Sequence, residues 1–255
     1  MSLTITLIQS TLHWEDSTAN LRMFDEKLSN LKNTDLVILP EMFTTGFSMD
    51  APNLAEEMSN SPTIRWMHQK AQEINAAVTG SLIIKENEAY YNRLIWVAPN
   101  GEQLHYDKKH LFSMAKEHLT FTAGTQKLII DYKGWKIMPF ICYDLRFPAW
   151  NRNLEDCDLI FYVANWPAKR SFHWRSLLTA RAIENQAYVV GVNCTGFDGN
   201  GFAYSGDSSV FDPAGELLFH QADEEAIYTL TLTKEHLNAM RKKYPFLADK
   251  DHYVL

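Results

Sequence analysis

Cys142 stands at a point in the sequence where a nucleophile would be exposed. It follows the apolar run IMPFI at 137–141, and polarity rises abruptly in the segment YDLRFP at 143–148. A side chain at the end of a strand is accessible and lies close to the free N–H groups of the next turn. A buried core cysteine would show the same local pattern. Cys142 is therefore a candidate nucleophile that needs support from elsewhere in the chain.

Glu41 and Lys108 are candidate partners for such a thiol. Glu41 follows the apolar run LVIL at 36–39 and Pro40, so a carboxylate that can accept a thiol proton stands at the end of a buried strand. Lys108 lies in the mixed segment YDKKHLF at 106–112. An ammonium beside a cysteine favours the thiolate and stabilises an oxyanion. Taken singly, either residue fits a solvated surface position equally well.

Short apolar strands and amphipathic helices alternate along the chain and must position these residues. Strand patterns occur at 4–9, 36–39, 77–84, 93–98, 103–106, 128–131, 137–141, 159–164, 188–193, 208–211, 216–219 and 226–232. Helical patterns occur at 20–31, from Ser61-Pro62 onward, at 172–186 and at 234–243. Several strands follow one another as hairpins, which favours mixed sheets covered by helices over an all-parallel sheet.

Three segments in the order Glu, Lys, Cys carry a family resemblance. They are LPEMF at 39–43, YDKKHLF at 106–112 and ICYDLRFP at 141–148. Together they resemble the carbon–nitrogen hydrolase, or nitrilase, superfamily. The resemblance continues through YVANWP at 162–167, ARAIENQ at 180–186, GDS at 206–208 and DPAG at 212–215. The chain looks most similar to the bacterial omega-amidase branch, whose members resemble 2-oxoglutaramate amidase, chiefly at 117–124 and 164–167.

The resemblance implies a role for each matching residue. Cys142 becomes the nucleophile, Glu41 the general base and later acid, and Lys108 the cation beside the oxyanion. The family lysine stands two residues before the histidine of its motif, which selects Lys108. Glu117 matches a second glutamate with a positioning role, and the backbone N–H of Tyr143 is expected to help hold the oxyanion. Neither a metal nor an organic cofactor is expected.

The branch resemblance also implies a substrate and a reaction. We expect an amidohydrolase that cleaves the terminal carboxamide of a small 2-oxo dicarboxylic acid monoamide through a cysteine thioester. Such a substrate is anionic, whereas the chain carries a net charge of −7, so the pocket must supply local cations. Candidate cations are Arg170 and Arg175, with Lys169 as a further one. Candidates for an apolar wall are Phe43 and Trp166.

Two other functions remain open from the sequence. Histidine is the commonest base for a cysteine nucleophile, so Cys142 with His110 or His173 would make a Cys-His hydrolase or amidotransferase. A non-catalytic member of the same fold, which binds a small molecule, is the other alternative.

The resemblance implies an α/β fold built as a four-layer α-β-β-α sandwich, in which two mixed sheets pack face to face with helices outside. The sequence has no low-complexity linker and no fixed-period repeat, so we expect one domain spanning residues 1–255. Members of the family usually associate through a helical face. We therefore expect a homodimer, with the tail at 244–255 helping to cover the interface.

Composition excludes several other classes of function. The net negative charge opposes binding to nucleic acid or to anionic membranes. No apolar stretch is long enough to cross a bilayer, and the chain begins without a basic leader, so we expect a cytoplasmic protein. The cysteines Cys142, Cys157 and Cys194 are odd in number and widely spaced, which indicates reduced thiols.

Overall fold

Two sheets of seven strands each form the centre of the molecule, in a computed structural model that describes residues 1–251. In chain order the strands are β1 (Ser2–Gln9), β2 (Leu36–Ile38), β3 (Glu56–Glu57), β4 (Ala77–Glu86), β5 (Ala89–Val97), β6 (Gln103–Asp107), β7 (Ile130–Tyr132), β8 (Trp135–Ile141), β9 (Leu159–Val163), β10 (Tyr188–Val192), β11 (Thr195–Phe197), β12 (Ala203–Phe211), β13 (Leu217–Ala222) and β14 (Ala226–Thr233). The α-helices are α1 (Ser17–Leu28), α2 (Ala51–Leu54), α3 (Pro62–Ile74), α4 (Pro148–Asn151), α5 (Ser171–Asn185) and α6 (Lys234–Lys243).

Both sheets are mixed. The first has the order β14-β1-β2-β4-β5-β6, with β3 paired to β4, and the second has the order β11-β12-β10-β9-β8-β7, with β13 paired to β12. Parallel pairing joins β1, β2 and β4 in the first sheet and β8, β9 and β10 in the second. The flanking pairs are antiparallel. The predicted class, two mixed sheets with helices, is confirmed.

Strand alternation assigns the two faces of the first sheet to different cores. In β2, Leu36 and Ile38 belong to the core shared with Phe140 of the second sheet. Val37, between them, packs instead with Phe24 of α1 and other residues that include the buried face of α3. Each fully buried side chain of this size contributes about 1.5–3 kcal/mol of transfer free energy. The period of two thus places a core on each side of the sheet.

Helix α5 covers the second sheet at very close range. A Cβ atom at Gly191 in β10 would lie 2.4 Å from Cδ1 of Leu178 and 2.6 Å from Cζ2 of Trp174. Only glycine leaves room for the helix there. The layer order is therefore α1 and α3, first sheet, second sheet, α5.

Capping and turn residues in the sequence predicted some boundaries of helices and strands correctly and others wrongly. Ser61 caps α3 as expected, since its Oγ accepts from the N–H of Ile64 at 2.9 Å. Helix α1 begins at residue 17 rather than 20, because Asp16 caps it with a bond from the Ala19 N–H. Strand β5 begins four residues earlier than predicted, after a two-residue turn whose members both have positive φ, an arrangement that the sequence does not mark with glycine. Within residues 1–251 no helix is long and apolar enough to cross a membrane.

Candidate active site

The three predicted catalytic residues meet at strand ends that come from both sheets. Glu41 follows β2 and Lys108 directly follows β6 in the first sheet, whereas Cys142 directly follows β8 in the second. Nζ of Lys108 lies 2.9 Å from Oε1 of Glu41. The same carboxylate lies near enough to the Cys142 thiol to raise the pKa of that thiol. The structure thus brings together a thiol, a carboxylate and an ammonium, and the ammonium of Lys108 and the carboxylate of Glu41 are 67 residues apart in the chain.

Cys142 occupies a strained backbone conformation. Its φ is +44°, in the left-handed region, and it begins a short 3₁₀ turn that runs from Cys142 to Arg146. A residue other than glycine adopts this region at a cost of about 1–2 kcal/mol. Such strain at a nucleophile is typical of a sharp strand-to-turn junction that presents the side chain to a cavity. Its residual exposure is 9%, and it lines the cavity described below.

The surroundings of the Cys142 thiol disfavour the thiolate. Burial raises its pKa well above the ordinary value, and the Glu41 carboxylate raises it further, against the opposing effect of the Lys108 ammonium. A thiol in this state is a weak nucleophile until a base removes its proton. Glu41 is the carboxylate placed beside this thiol that could accept its proton.

Lys108 is a fully buried cation held by two buried carboxylates. Burial alone would lower the pKa of Lys108, but the charges of Glu117 and Glu41 outweigh it and raise that pKa. Both carboxylate oxygens of Glu117 lie 3.0 Å from Nζ. Burial in turn raises the pKa of Glu117, against the effect of Lys108. Glu117 also accepts the backbone N–H of Phe112, so it ties Lys108 to a loop that borders the cavity.

Two asparagines that the sequence analysis did not single out hold Glu41. The side-chain amide of Asn92 donates to Oε1 of Glu41 at 2.8 Å and, more weakly, to Glu117 at 3.2 Å. The backbone N–H of Asn165 donates to Oε2 of Glu41 at 2.7 Å. Asn92 is a buried amide in β5, a strand whose other buried residues are mostly apolar. A polar amide at such a strand position was the signal available in the sequence.

Tyr143 is placed as expected for a supporting residue. It is the second residue of the turn that Cys142 begins, where backbone N–H groups have no partner within the helix. Its ring lines the cavity and packs edge-on against Phe112, with ring centroids 5.0 Å apart. The main-chain N–H next to the nucleophile is therefore available to a developing oxyanion.

A cavity of about 540 Å³ opens beside Cys142. Of the predicted substrate-binding residues, Trp166, Lys169 and Arg170 line it. Trp166 is almost fully buried and offers an apolar wall, and its indole N–H donates to the backbone carbonyl of Arg170 at 2.8 Å. The volume suits a small molecule.

Arg146 is a second arginine in this cavity, and the sequence analysis did not select it. Its guanidinium lies 4.7 Å from the ring centre of Trp166, while that of Arg170 lies 5.3 Å from the ring centre of Phe112. Burial, and then the neighbouring Arg170, lower the pKa of Arg146. In residues 1–251 neither guanidinium forms an ion pair with an aspartate or glutamate. The signal for Arg146 in the sequence was its position in the segment at 143–148, directly after Cys142.

Three carboxylates also line the cavity, those of Glu15, Asp50 and Asp198. Each accepts hydrogen bonds from neighbouring side chains or backbone amides. Arg146, Arg170 and Lys169 are therefore the cavity cations that form no ion pair with a carboxylate among residues 1–251, and the two arginines are the ones with a planar guanidinium.

Two predicted substrate-binding residues lie elsewhere. Phe43 is fully buried on the helix side of the first sheet, where its ring packs 5.5 Å from Phe24 and 6.0 Å from Trp66. The prediction for Phe43 is wrong, because the positive φ of the preceding Met42 turns the chain, and Phe47 lines the cavity instead.

Arg175 also lies outside the cavity. Its side chain is half-exposed on α5, and its Nε lies 3.6 Å from Oδ1 of Asp207. The expectation that it would face the substrate is wrong, because Arg175 does not line the cavity and its guanidinium is paired with Asp207 of β12 instead.

Neither candidate histidine acts on the thiol. Nδ1 of His110 donates to Asp144 at 2.8 Å, and its ring stacks on Phe147. His173 accepts from the guanidinium of Arg146 at 3.1 Å. The charged groups with the largest effect on the Cys142 pKa are Glu41, Lys108 and Glu117. The geometry therefore favours a carboxylate over an imidazole as the base.

Comparisons with known proteins identify the family of the chain. Residues 4–242 match the carbon–nitrogen hydrolase family model. The chain is 48% identical to the omega-amidase YafV of Escherichia coli (strain K12), over 99% of this chain and 98% of that protein. It is 34% identical to the 2-oxoglutaramate amidase of Bacillus subtilis (strain 168), over 99% of this chain and all of that protein.

A solved structure shows the same fold. A CN-hydrolase superfamily protein from Xanthomonas campestris, whose crystal structure has an arsenic adduct in the active site, superposes with a TM-score of 0.98. It is 41% identical and covers 100% of this chain and 99% of its own. Identity at this level over the full length, together with the family match, shows that the chain belongs to the carbon–nitrogen hydrolase family and is an amidohydrolase.

Proposed function

We propose that the protein hydrolyses the terminal carboxamide of a small 2-oxo dicarboxylic acid monoamide, such as 2-oxoglutaramate, to the acid and ammonia. The observation that carries this proposal is the pair Arg146 and Arg170, which face the same cavity as Cys142 without carboxylate partners. Guanidinium groups match carboxylates in geometry and charge. The names of the omega-amidase and 2-oxoglutaramate amidase relatives support the same substrate class.

The reaction begins with attack by sulfur on the amide carbon. Glu41 takes the thiol proton as the C–S bond forms, and the negative charge that develops on oxygen is held by Lys108 and the backbone N–H of Tyr143. Oε1 of Glu41 accepts from both Lys108 and Asn92, whereas Oε2 accepts only the backbone N–H of Asn165 among the described residues, so Oε2 keeps a lone pair for this proton.

Collapse of the tetrahedral species breaks the C–N bond. Protonated Glu41 gives its proton to the departing nitrogen, so ammonia leaves and a thioester to Cys142 remains. Glu41, again a carboxylate, takes a proton from water as the water oxygen adds to the thioester carbon. The C–S bond then breaks, sulfur regains the proton, and the free acid leaves. One carboxyl group thus serves both half-reactions.

A panel of amides tests the proposed substrate class. We expect 2-oxoglutaramate or 2-oxosuccinamate to be hydrolysed with a kcat/KM at least about 100-fold above that of uncharged aliphatic amides or nitriles, since a charge-assisted hydrogen bond contributes about 1.5–3 kcal/mol. Better turnover of neutral amides would contradict the proposed substrate. No ammonia from any amide would favour a binding protein instead.

Arginine variants test how the substrate is held. Arg146→Gln and Arg170→Gln should each raise KM for the anionic amide about 10-fold or more, with a smaller effect on a neutral amide. Arg175→Gln is the matched control, because this arginine lies outside the cavity. Mass spectrometry of the enzyme quenched during turnover should show an acyl group on Cys142, as the thioester requires.

We further infer a homodimer and a cytoplasmic location. Exposed apolar side chains near the end of the chain, Tyr244 and Phe246, stack on each other and support a contact surface there. Residues 252–255 of the proposed interface tail lie outside the described residues. Sedimentation at micromolar concentration tests the dimer. A nucleophilic thiol requires a reducing compartment, and cell fractionation tests that location.

A further inference from the structure

Asp144 is a fully buried carboxylate that the proposed reaction does not use. It lies two residues after Cys142 in the same 3₁₀ turn. Its Oδ2 accepts the backbone N–H of Ile141 at 3.1 Å and the hydroxyl of Tyr106 at 2.7 Å. Its Oδ1 accepts the backbone N–H of His110 at 2.9 Å and the His110 ring at 2.8 Å. All four donors come from segments that border the active site.

These bonds join the two catalytic segments through one side chain. Ile141 immediately precedes Cys142 and ends β8 in the second sheet, while His110 stands two residues after Lys108, beyond the end of β6 in the first sheet. A single rigid carboxylate therefore fixes the backbone before the nucleophile relative to the backbone after the lysine.

Cys142 has a particular need for such support. A non-glycine residue with positive φ persists only where the surrounding structure holds it. Asp144 binds the amide on the N-terminal side of Cys142, and its own backbone lies on the C-terminal side, so the strained residue is held from both directions.

We propose that Asp144 is a positioning residue that sets Cys142 relative to Lys108. The inference rests on the proposed amide hydrolysis for its kinetic test. A displacement of about 1 Å at a reacting group costs about 10²-fold in rate. Loss of Asp144 therefore lowers kcat far more than it raises KM, because Arg170, on a separate segment, still holds the substrate.

Asp144→Asn keeps the shape of the side chain but replaces one acceptor oxygen with an amide that donates. Whichever way the amide turns, it faces backbone N–H donors of Ile141 or His110. The matched control is Asp158→Asn. Asp158 is also buried, and its Oδ2 accepts the N–H of Lys136 at 2.8 Å, at the opposite end of β8 from Cys142.

The test is steady-state kinetics on an amide that the wild-type protein hydrolyses. We expect Asp144→Asn to lower kcat about 100-fold with KM within about threefold of wild type, and Asp158→Asn to keep wild-type kcat. Both variants are checked for folding by circular dichroism. A folded Asp144→Asn protein with kcat within threefold of wild type overturns the proposal, as does an equal loss of kcat in Asp158→Asn.

Alkylation by iodoacetamide separates this proposal from the proposed function. The Cys142 alkylation rate should fall about 10-fold in Asp144→Asn and stay unchanged in Asp158→Asn, and this holds even if wild type hydrolyses none of the amides tested. An unchanged or faster rate in Asp144→Asn overturns the positioning role.

Should Asp144→Asn fail to fold, His110→Phe is the second variant. It keeps the stack on Phe147 but loses the ring bond to Asp144. A kcat about five- to tenfold lower at unchanged KM then supports the proposal, and wild-type kcat overturns it.

Discussion

Asn165 binds Glu41 at two points. Its backbone N–H donates to Oε2 of the carboxylate at 2.7 Å, and its side-chain amide donates to the backbone carbonyl of Glu41 at 2.6 Å. The first sheet thus supplies the base and the second sheet supplies the residue that orients it. Because Lys108 and Asn92 bind the other carboxylate oxygen, the base cannot rotate freely. The carboxylate of Glu41 is therefore held in one orientation.

Glu41→Gln should lower kcat/KM about 10²–10⁴-fold, because an amide cannot accept the thiol proton. The shape of the side chain is kept, so the protein should remain folded. His173→Ala is the comparison, since this ring contacts Arg146 and not the thiol. Ammonia release by each purified variant is the measurement. Near-complete loss in His173→Ala with an active Glu41→Gln would instead indicate a Cys-His hydrolase.

Lys108→Met should lower kcat about 10²–10³-fold through loss of oxyanion stabilisation. It should also lower the free energy of unfolding by about 3–5 kcal/mol, because Glu41 and Glu117 then lie buried without their cation. Lys109→Met is the matched control from the adjacent position, where the ammonium lies 5.3 Å from the ring centre of Trp150. Urea unfolding and kinetics report the two effects separately. Equal losses in both variants would argue against the assignment of Lys108.

Asn92→Ala should lower kcat about 10- to 100-fold and the free energy of unfolding by about 1–3 kcal/mol, because a hydrogen bond to a buried carboxylate is lost. Thr79→Val is a control in the neighbouring strand β4. Its buried hydroxyl donates to the carbonyl of Ile95 at 2.8 Å, away from the catalytic groups. The control should lose stability and keep kcat. An Asn92→Ala protein that loses stability alone would show that Asn92 does not orient Glu41.

Alkylation of Cys142 should accelerate about 10-fold per pH unit from pH 7 through pH 9 without a plateau. Burial raises the thiol pKa above its usual value, so the reactive thiolate stays a minor form over this range. Cys157, whose pKa burial raises to about 12, and Cys194 should react much more slowly, because neither lines the cavity. Peptide mapping after limited labelling measures all three. A plateau below pH 8 would indicate a resting thiolate. Preferential labelling of Cys157 would show that Cys142 is not the nucleophile.

The sequence was most informative where hydrophobicity changes abruptly. The apolar runs that end at Glu41 and Cys142 are strands in the structure, and both residues lie at the site. Lys108 could not be separated from a surface lysine by local pattern, since it follows a strand of mixed burial, and only the family motif selected it. The buried ammonium is paired with Glu41, 67 residues away in the chain, and with Glu117, nine residues away.

Pocket residues were harder to predict, because their directions depend on backbone angles rather than on side-chain type. Phe43 was the expected apolar wall, but Met42 before it has a positive φ and Phe43 packs toward the helices, while Phe47 lines the cavity. Arg146 and Arg175 are both arginines near aromatic residues, and tertiary contacts alone decide that the first faces the cavity. Periodicity describes one element at a time and carries no information about such contacts.

Because the catalytic groups are divided between two sheets, the enzymatic activity depends on how those sheets pack against each other. Glu41 and Lys108 move with the first sheet, and Cys142 and Asn165 move with the second, while the side chains between them are close-packed. A core substitution far from the cavity that slides one sheet against the other would separate base from nucleophile before it unfolds either half. Enzyme assays should therefore detect small shifts in this core that spectroscopic measures of folding miss.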